Sequence, residues 1–186
     1  MVTKTDSTQI VTTPNVQEHV QPSFKRWLKH CCYFSNTRRY FKAVELKKIA
    51  TAVQHAEQGH VGEIQVVIEG HLPCLQAYRQ NTRKRAEQLF AELGVWDTEH
   101  NSGILLYLNL CERKVELVFD RGLQQATEQE VWNSICQSLV QQFGQYQYDE
   151  AVIQAISSIG ELLQQFYAEK EIDQINELPN EPIILD

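Results

Sequence analysis

The feature that most constrains the fold is the stretch from Asp97 to Asp120, in which two apolar segments flank a short polar turn. Gly103–Leu110 is almost continuously apolar, as expected of a strand that is buried on both faces. Cys111–Arg113 leaves room only for a tight turn. Lys114–Phe119 alternates polar and apolar residues, which predicts a strand with one face in water. The two strands are therefore predicted to be antiparallel neighbours.

A third buried strand is predicted at Glu63–Glu69, which is rich in β-branched residues and is followed by Gly70 and Pro73. The segment between this strand and the next has a helical pattern, so the two strands should be parallel and joined by a right-handed crossover. The resulting fold class is α/β, a small mixed sheet of three to four strands with helices on both faces, that is, an α/β sandwich. Helices are predicted over Arg38–Gln58 and Leu75–Leu93 (with Leu75 and Tyr78 inward), from a capping box at Thr127, and from Tyr148 to about Ala168.

The segments outside the sheet differ in character, so we divide the chain into four parts. Residues 1–22 are polar and predicted to be disordered, and residues 23–37 form a short basic helix capped by Ser23. Residues 38–168 form the α/β domain. Residues 169–186 form an acidic tail, which we expect to be mobile unless the apolar triplet Ile183–Leu185 docks on the domain.

Charge is distributed unevenly along the 186 residues, whose formal net charge is −7. An acidic chain is a poor match for nucleic acid, which we exclude as a partner. Between Phe24 and Lys42, however, six residues are basic and none is acidic. This segment could make a weak contact with an anionic membrane. The alternative, which we favour, is that its apolar side, with Phe24, Trp27, Leu28 and Cys31, docks on the chain's own domain.

The five cysteines are odd in number and include no C-x-x-C pair. This pattern predicts reduced thiols in a cytoplasmic protein rather than a disulfide framework or a zinc site. No signal peptide and no apolar segment long enough to span a bilayer are recognised in the sequence.

The predicted strand directions bring oxygen-bearing side chains to one edge of the sheet, where the first two strands begin and the third ends. These side chains suit Ca²⁺ or another hard divalent cation, and they are Glu63, Asp97, Glu99, Asn101 and Asp120. The alternative, which we favour, is that Asp97 or Asn101 bonds the loop backbone while Glu99 is solvated. In addition, open α/β sheets usually bind ligands at the opposite edge, at the carboxyl ends of the parallel strands.

No convincing nucleophile is found in the sequence. Cys32 and Arg38 have the C-x5-R spacing of cysteine phosphatases, but the residues between them include no glycine and follow no strand, so they cannot easily cradle a phosphate. His60 and His100 could approach the acidic residues, although surface positions are the simpler expectation for both. The sequence therefore favours a non-catalytic binding module with a protein partner that it does not identify.

Four ordered motifs resemble the TPM domain family: Gly62–Ile68, Arg85–Phe90, Val95–Leu108 and Val115–Gly122. The resemblance implies an α/β sandwich, an acid-phosphatase designation and, in some members, a divalent-cation site of acidic residues. By position, that site corresponds to Asp97–Asn101 and Asp120. The alternative function that it implies is a metal-dependent phosphatase acting on small phosphate esters.

The chain departs from the family pattern in two respects. It has Asp120-Arg121-Gly122-Leu123-Gln124 where many members have G-x-G-L-E, and it carries no recognisable export signal or anchor. It is most similar to the short cytosolic bacterial branch of the family. We therefore expect a TPM-type binding module, with a divalent cation at the edge that holds Glu63, Asp97 and Asp120 as a hypothesis beside the favoured alternative.

Overall fold

The computed structural model describes residues 20–34, 37–120, 123, 129–143, 148–167 and 176–186. The described helices are α1 (Phe24–Cys31), α2 (Ala43–Ala56), α3 (Cys74–Arg79), α4 (Thr82–Glu92), α5 (Gln129–Phe143) and α6 (Tyr148–Tyr167), with a 3-10 turn at Thr37–Arg39. The strands are β1 (Glu63–Glu69), β2 (Gly103–Asn109), β3 (Lys114–Phe119) and β4 (Ile183–Leu185). No helix within these ranges is both long enough and apolar enough to cross a membrane.

The four strands form one mixed sheet in the order β3-β2-β1-β4. β1 runs parallel to β2, with Glu63 opposite Gly103, and β2 runs antiparallel to β3, with Ile104 opposite Phe119. Both strand directions confirm the prediction. β4 pairs in parallel with β1, so the apolar triplet near the C-terminus docks on the sheet rather than remaining mobile.

Helices cover both faces of the sheet, which confirms the α/β sandwich. Alternate residues of each strand supply the two cores, because successive side chains of a strand point to opposite faces. The larger core joins the sheet to α2, α5 and α6 and includes Ile64, Ile104, Leu106, Leu117, Trp132 and Ile156. The smaller core lies against α4 and includes Val67, Ala86, Leu89, Leu105, Tyr107 and Leu178.

The helix predicted over Leu75–Leu93 is interrupted, and two apolar side chains of its first half point to solvent instead of to the core. Gln80 is extended, and the Asn81 side chain then caps α4 by accepting a hydrogen bond from the Lys84 amide (2.9 Å). Leu75 and Tyr78, which were predicted to point inward, are 71% and 40% exposed. The break lets α3 leave the sheet and pack against α1 instead.

Two further predictions about the elements were wrong. The helix predicted from Arg38 begins at Ala43, because Thr37–Arg39 forms a tighter turn. β3 has no water-facing side over most of its length, since Glu116 is only 4% exposed beneath α4. The capping box at Thr127 and the predicted disorder of residues 1–19 lie outside the described residues.

The N-terminal helix packs against α3, as the favoured alternative predicted, but Phe24 and Leu28 of its apolar side remain exposed. Its N-cap is Ser23, whose hydroxyl accepts from the Arg26 amide (3.2 Å), and the Arg26 side chain donates to the Ala77 carbonyl (2.7 Å). The prediction of five free thiols was wrong for one pair, because Cys31 and Cys74 form a disulfide between α1 and α3. Sequence spacing could not reveal this pair, since the fold alone brings the two α-carbons to 5.4 Å.

Candidate functional site

Three strand ends meet at one edge of the sheet, as the topology predicted. Glu63 at the start of β1 lies opposite Gly103 at the start of β2. The amide of Asp120, just after β3, donates to the Gly103 carbonyl (3.3 Å). We call this region the acidic edge and define it by the five residues predicted from the sequence, Glu63, Asp97, Glu99, Asn101 and Asp120.

The loop that leads into β2 is held in a compact turn by Thr98. The Thr98 hydroxyl accepts from the Ser102 amide (2.9 Å), and the Thr98 carbonyl accepts from the amide of Asn101 (3.1 Å), whose φ of 51° is left-handed. A Cβ at Gly103 would lie 1.9 Å from the Val95 carbonyl oxygen, so only glycine fits where the loop folds back. Thr98 therefore supplies a bond of the kind that the sequence analysis assigned to Asp97 or Asn101.

The C-terminal segment, residues 176–186, crosses the acidic edge before it forms β4. The Glu177 carboxylate accepts from the Glu99 amide (3.1 and 3.2 Å), and the Glu63 carboxylate accepts from the Leu178 amide (3.3 Å). The Leu178 side chain is buried in the smaller core. Glu177 and Leu178 were not predicted as site residues, because the only signal for docking in the sequence is the apolar triplet Ile183–Leu185.

A carboxylate that was not predicted as part of the edge, Glu57, lies close enough to Glu63 for their charges to interact. Its side chain accepts from the Ile64 amide (2.8 Å). Burial, together with a smaller contribution from the charge of Glu63, raises the pKa of Glu57 to about 8. Glu57 therefore holds a proton through much of the neutral pH range, which reduces the repulsion between the two side chains.

The two histidines near this edge differ in environment. His60 is 4% exposed, contrary to the expectation of a surface residue, and its Nδ1 accepts from the Gly62 amide (3.0 Å). Burial lowers the pKa of His60, which keeps the ring neutral. His100 lies half-buried in the loop before β2.

The acidic edge brings oxygen-bearing side chains together but does not form a complete metal-coordination site. Glu63 is buried and accepts from the Leu178 amide, whereas Asp97, Glu99 and Asn101 are exposed. Within the described ranges, no three His, Cys, Asp or Glu side chains are grouped so that they could hold a metal ion. The chemistry of the donors suits a hard divalent cation, but their present arrangement does not enclose one.

A second polar cluster lies at the opposite edge, where β1 and β2 end. Arg85 from α4 donates twice to one Glu69 oxygen (3.0 and 2.9 Å), and the Tyr107 hydroxyl donates to the other (2.5 Å). The Asn109 amide group donates to the Tyr107 hydroxyl (2.9 Å). Because Glu69, Tyr107 and Asn109 are each at most 2% exposed, this cluster closes the edge at which open α/β sheets usually bind ligands.

This cluster was not predicted from the sequence, although Glu69 and Asn109 are polar residues at the ends of apolar strands. Its outer atoms are partnered too, because Asn109 Oδ1 accepts from the Glu112 amide (2.9 Å) and Arg85 pairs with Glu92 (3.8 Å), as expected of a structural network. Burial raises the pKa of Tyr107, which keeps the hydroxyl as a donor to Glu69.

The buried thiols are poorly suited to nucleophilic chemistry. Burial raises the pKa of Cys111 to about 11 and that of Cys136 still further, so both remain thiols at neutral pH. Cys32 is exposed at the end of α1, and Arg38 is exposed in the 3-10 turn. A separate open groove of about 610 Å³ lies between α2 and α6, lined by residues such as Lys48, His55, Ser157 and Glu161.

Comparison with known proteins agrees with the fold. The family model described as the TPM domain matches residues 35–162. No curated protein matches the chain. The NMR structure of the BA42 protein from the psychrophilic bacterium Bizionia argentinensis superposes with a TM-score of 0.69 at 24% sequence identity, covering 80% of this chain and 98% of BA42. At that identity the likeness establishes a shared fold.

Proposed function

This chain belongs to the TPM domain family, and on that premise we propose that it is a non-catalytic binding module whose working surface is the acidic edge. One observation carries the proposal: the edge binds a non-helical segment of the chain, residues 176–182, which bends before it enters β4. Glu63 accepts the Leu178 amide, and Glu177 is held by the Glu99 amide. Carboxylates and amides that hold one such segment can hold another of the same character.

The partner that we propose is a protein that presents a segment resembling residues 176–186. Such a segment would offer a backbone amide to Glu63 and an apolar side chain to the position taken by Leu178, which is 7% exposed. An acidic side chain at the position of Glu177 would meet the Glu99 amide. The chain's own C-terminal segment would compete with the partner for this surface.

We include a hard divalent cation of the Ca²⁺ type as a ligand of the exposed part of the edge, formed by Asp97, Glu99 and Asn101. This part of the proposal rests on the chemistry of the donors, which are all oxygen atoms, and on their position within one loop. Because the described side chains do not enclose an ion, the proposal gives the cation no catalytic step.

The segment-binding part is tested with a Leu178→Asp variant of the full chain, because a buried carboxylate at that position disfavours docking of the chain's own segment. A fluorescent peptide with the sequence of residues 176–186 is titrated into this variant and followed by anisotropy. We expect saturable binding, and at least about tenfold weaker binding when Glu63→Ala is added to the same variant. Absence of peptide binding to the Leu178→Asp chain would refute this part of the proposal.

The cation part is tested by titrating Ca²⁺ into the isotopically labelled full chain. We expect the amide signals of Asp97–Gly103 to shift at millimolar Ca²⁺ and to stay fixed in an Asp97→Ala, Glu99→Ala double variant. The matched control is Glu130→Ala, which removes an exposed carboxylate from α5. If the loop signals of the unaltered chain do not move, the cation is removed from the proposal while the peptide experiment still stands.

The competing function, a metal-dependent phosphatase of small phosphate esters, is tested with p-nitrophenyl phosphate in the presence of Ca²⁺, Mg²⁺ or Mn²⁺. We expect no turnover by the unaltered chain beyond that of an Asp97→Ala, Asp120→Ala double variant purified in the same way. Turnover that depends on these two carboxylates would overturn the non-catalytic proposal.

A further inference from the structure

The outward face of α1 is both apolar and basic. Phe24 and Leu28 lie one helical turn apart and are 65% and 47% exposed. Lys25 and Lys29 are also exposed and lie next to them in sequence. The side that the sequence pattern predicted to dock therefore faces solvent in part, because Arg26, His30 and Cys31 make the contacts with the rest of the chain.

The fold fixes the orientation of this face. Arg26 donates to the Ala77 carbonyl (2.7 Å), and the disulfide of Cys31 with Cys74 joins the other end of α1 to α3. The buried ring of His30 accepts from the Leu72 amide (3.0 Å) through Nδ1 and contacts the Glu112 carboxylate (3.2 Å) through Nε2. α1 is thus held along its length with Phe24 and Leu28 pointing away from the domain.

Two further exposed apolar side chains lie on segments next to α1. Leu75 on α3 is 71% exposed, and Phe34, just after α1, is 92% exposed. We call these residues together the basic face: Phe24, Lys25, Leu28, Lys29, Phe34 and Leu75. From Phe24 to Lys42 the sequence has six basic and no acidic residues in a chain whose net charge is −7. Lys25 and Lys29 carry the positive charge of the basic face, and Lys29 also lies 3.7 Å from the Glu112 carboxylate.

We propose that the basic face docks on an anionic phospholipid surface. Charge complementarity favours this occupant, because exposed lysines attract the anionic headgroups while apolar side chains enter the boundary between headgroups and acyl chains. The most exposed apolar side chains project from the surface, as shallow insertion into a bilayer requires. The inference goes beyond the proposed function, because it concerns a different surface and needs neither a cation nor the acidic edge.

The test is co-sedimentation of the full chain with vesicles of phosphatidylcholine alone and of phosphatidylcholine mixed with phosphatidylglycerol. We expect binding only to the mixed vesicles, weakened by added salt because the attraction is screened. The Phe24→Ser, Leu28→Ser double variant should partition at least about tenfold less, since it removes the two apolar anchors of α1. Lys25→Glu should also weaken binding, through charge alone.

The matched control is Trp96→Ser, which removes another exposed apolar side chain (52% exposed) beside the acidic edge. This variant should bind the mixed vesicles as the unaltered chain does. Thermal melts check that the exposed substitutions leave the fold intact. Equal binding to both vesicle types, unchanged binding of the double variant, or no binding to any vesicle would overturn the proposal, and the last outcome would direct the search to an acidic protein partner.

Discussion

The backbone amide of Leu178 donates a hydrogen bond to the Glu63 carboxylate (3.3 Å), which joins the C-terminal segment to the start of β1. Beyond this bond the segment continues into β4. This strand pairs with the second half of β1, and Ile183 lies opposite Val67. The Glu63 carboxylate therefore anchors the segment before it enters the sheet, together with the bond between Glu177 and the Glu99 amide.

Replacing Glu63 by alanine should loosen the C-terminal segment without unfolding the domain. The Leu178 amide is buried and loses its acceptor, at a cost of about 1–2 kcal/mol in the free energy of unfolding. Hydrogen exchange of residues 176–186 should accelerate, whereas exchange in β2 should change much less. In Glu130→Ala, an exposed control on α5, both rates should be unchanged, and equal protection of the segment in the two variants would show that Glu63 is not its anchor.

Stability should fall with pH in a window set by Glu57. Its pKa is raised from 4.5 to about 8 on folding. The folded state therefore binds the proton more tightly, so the stabilisation is fully present below pH 4.5 and is lost as the pH rises through 8. Glu57→Gln keeps an acceptor for the Ile64 amide and does not titrate. We compare the free energies of unfolding of this variant and the unaltered chain, measured with denaturant. As the pH rises from 4 to 9, the difference should shift in favour of the variant by about 2–4 kcal/mol. Parallel pH profiles of the two proteins would contradict the assignment to Glu57.

The sheet core could be predicted from the sequence because its strands are continuous apolar runs and a tight turn fixes their directions. The same reasoning placed Glu63, the loop from Asp97 and Asp120 at one edge. Local patterns gave much less information about contacts between distant segments. The positions of Glu177 and Leu178 depend on β4 docking beside β1, and the orientation of α1 depends on α3 leaving the sheet at Asn81.

The disulfide of Cys31 with Cys74 should stabilise the chain by closing a loop with a sequence separation of 43 residues. Removing it with reductant or by a Cys31→Ser, Cys74→Ser double variant should lower the free energy of unfolding by about 2–4 kcal/mol. Cys32→Ser, which alters an exposed free thiol, is the control and should have little effect.

Mass spectrometry of the unreduced, digested chain gives a direct check on the same bond. We expect the peptides that contain Cys31 and Cys74 to be linked, and recovery of five free thiols would refute the pairing. The disulfide also bears on the location of the protein, which stays a prediction from the sequence. A reducing cytoplasm keeps most thiols free, so a linked pair in freshly isolated protein would count against that prediction.

Tyr107 should contribute to stability through its hydroxyl rather than its ring alone. Tyr107→Phe keeps the packing of the ring but leaves one Glu69 oxygen without its 2.5 Å donor and the Asn109 amide group without its 2.9 Å acceptor. Because both partners are buried, the variant should lose about 1–3 kcal/mol in denaturant unfolding. Tyr78→Phe, at a position that is 40% exposed, should change stability by less than about 0.5 kcal/mol. Equal losses in the two variants would mean that the network at the carboxyl ends of β1 and β2 adds nothing beyond packing.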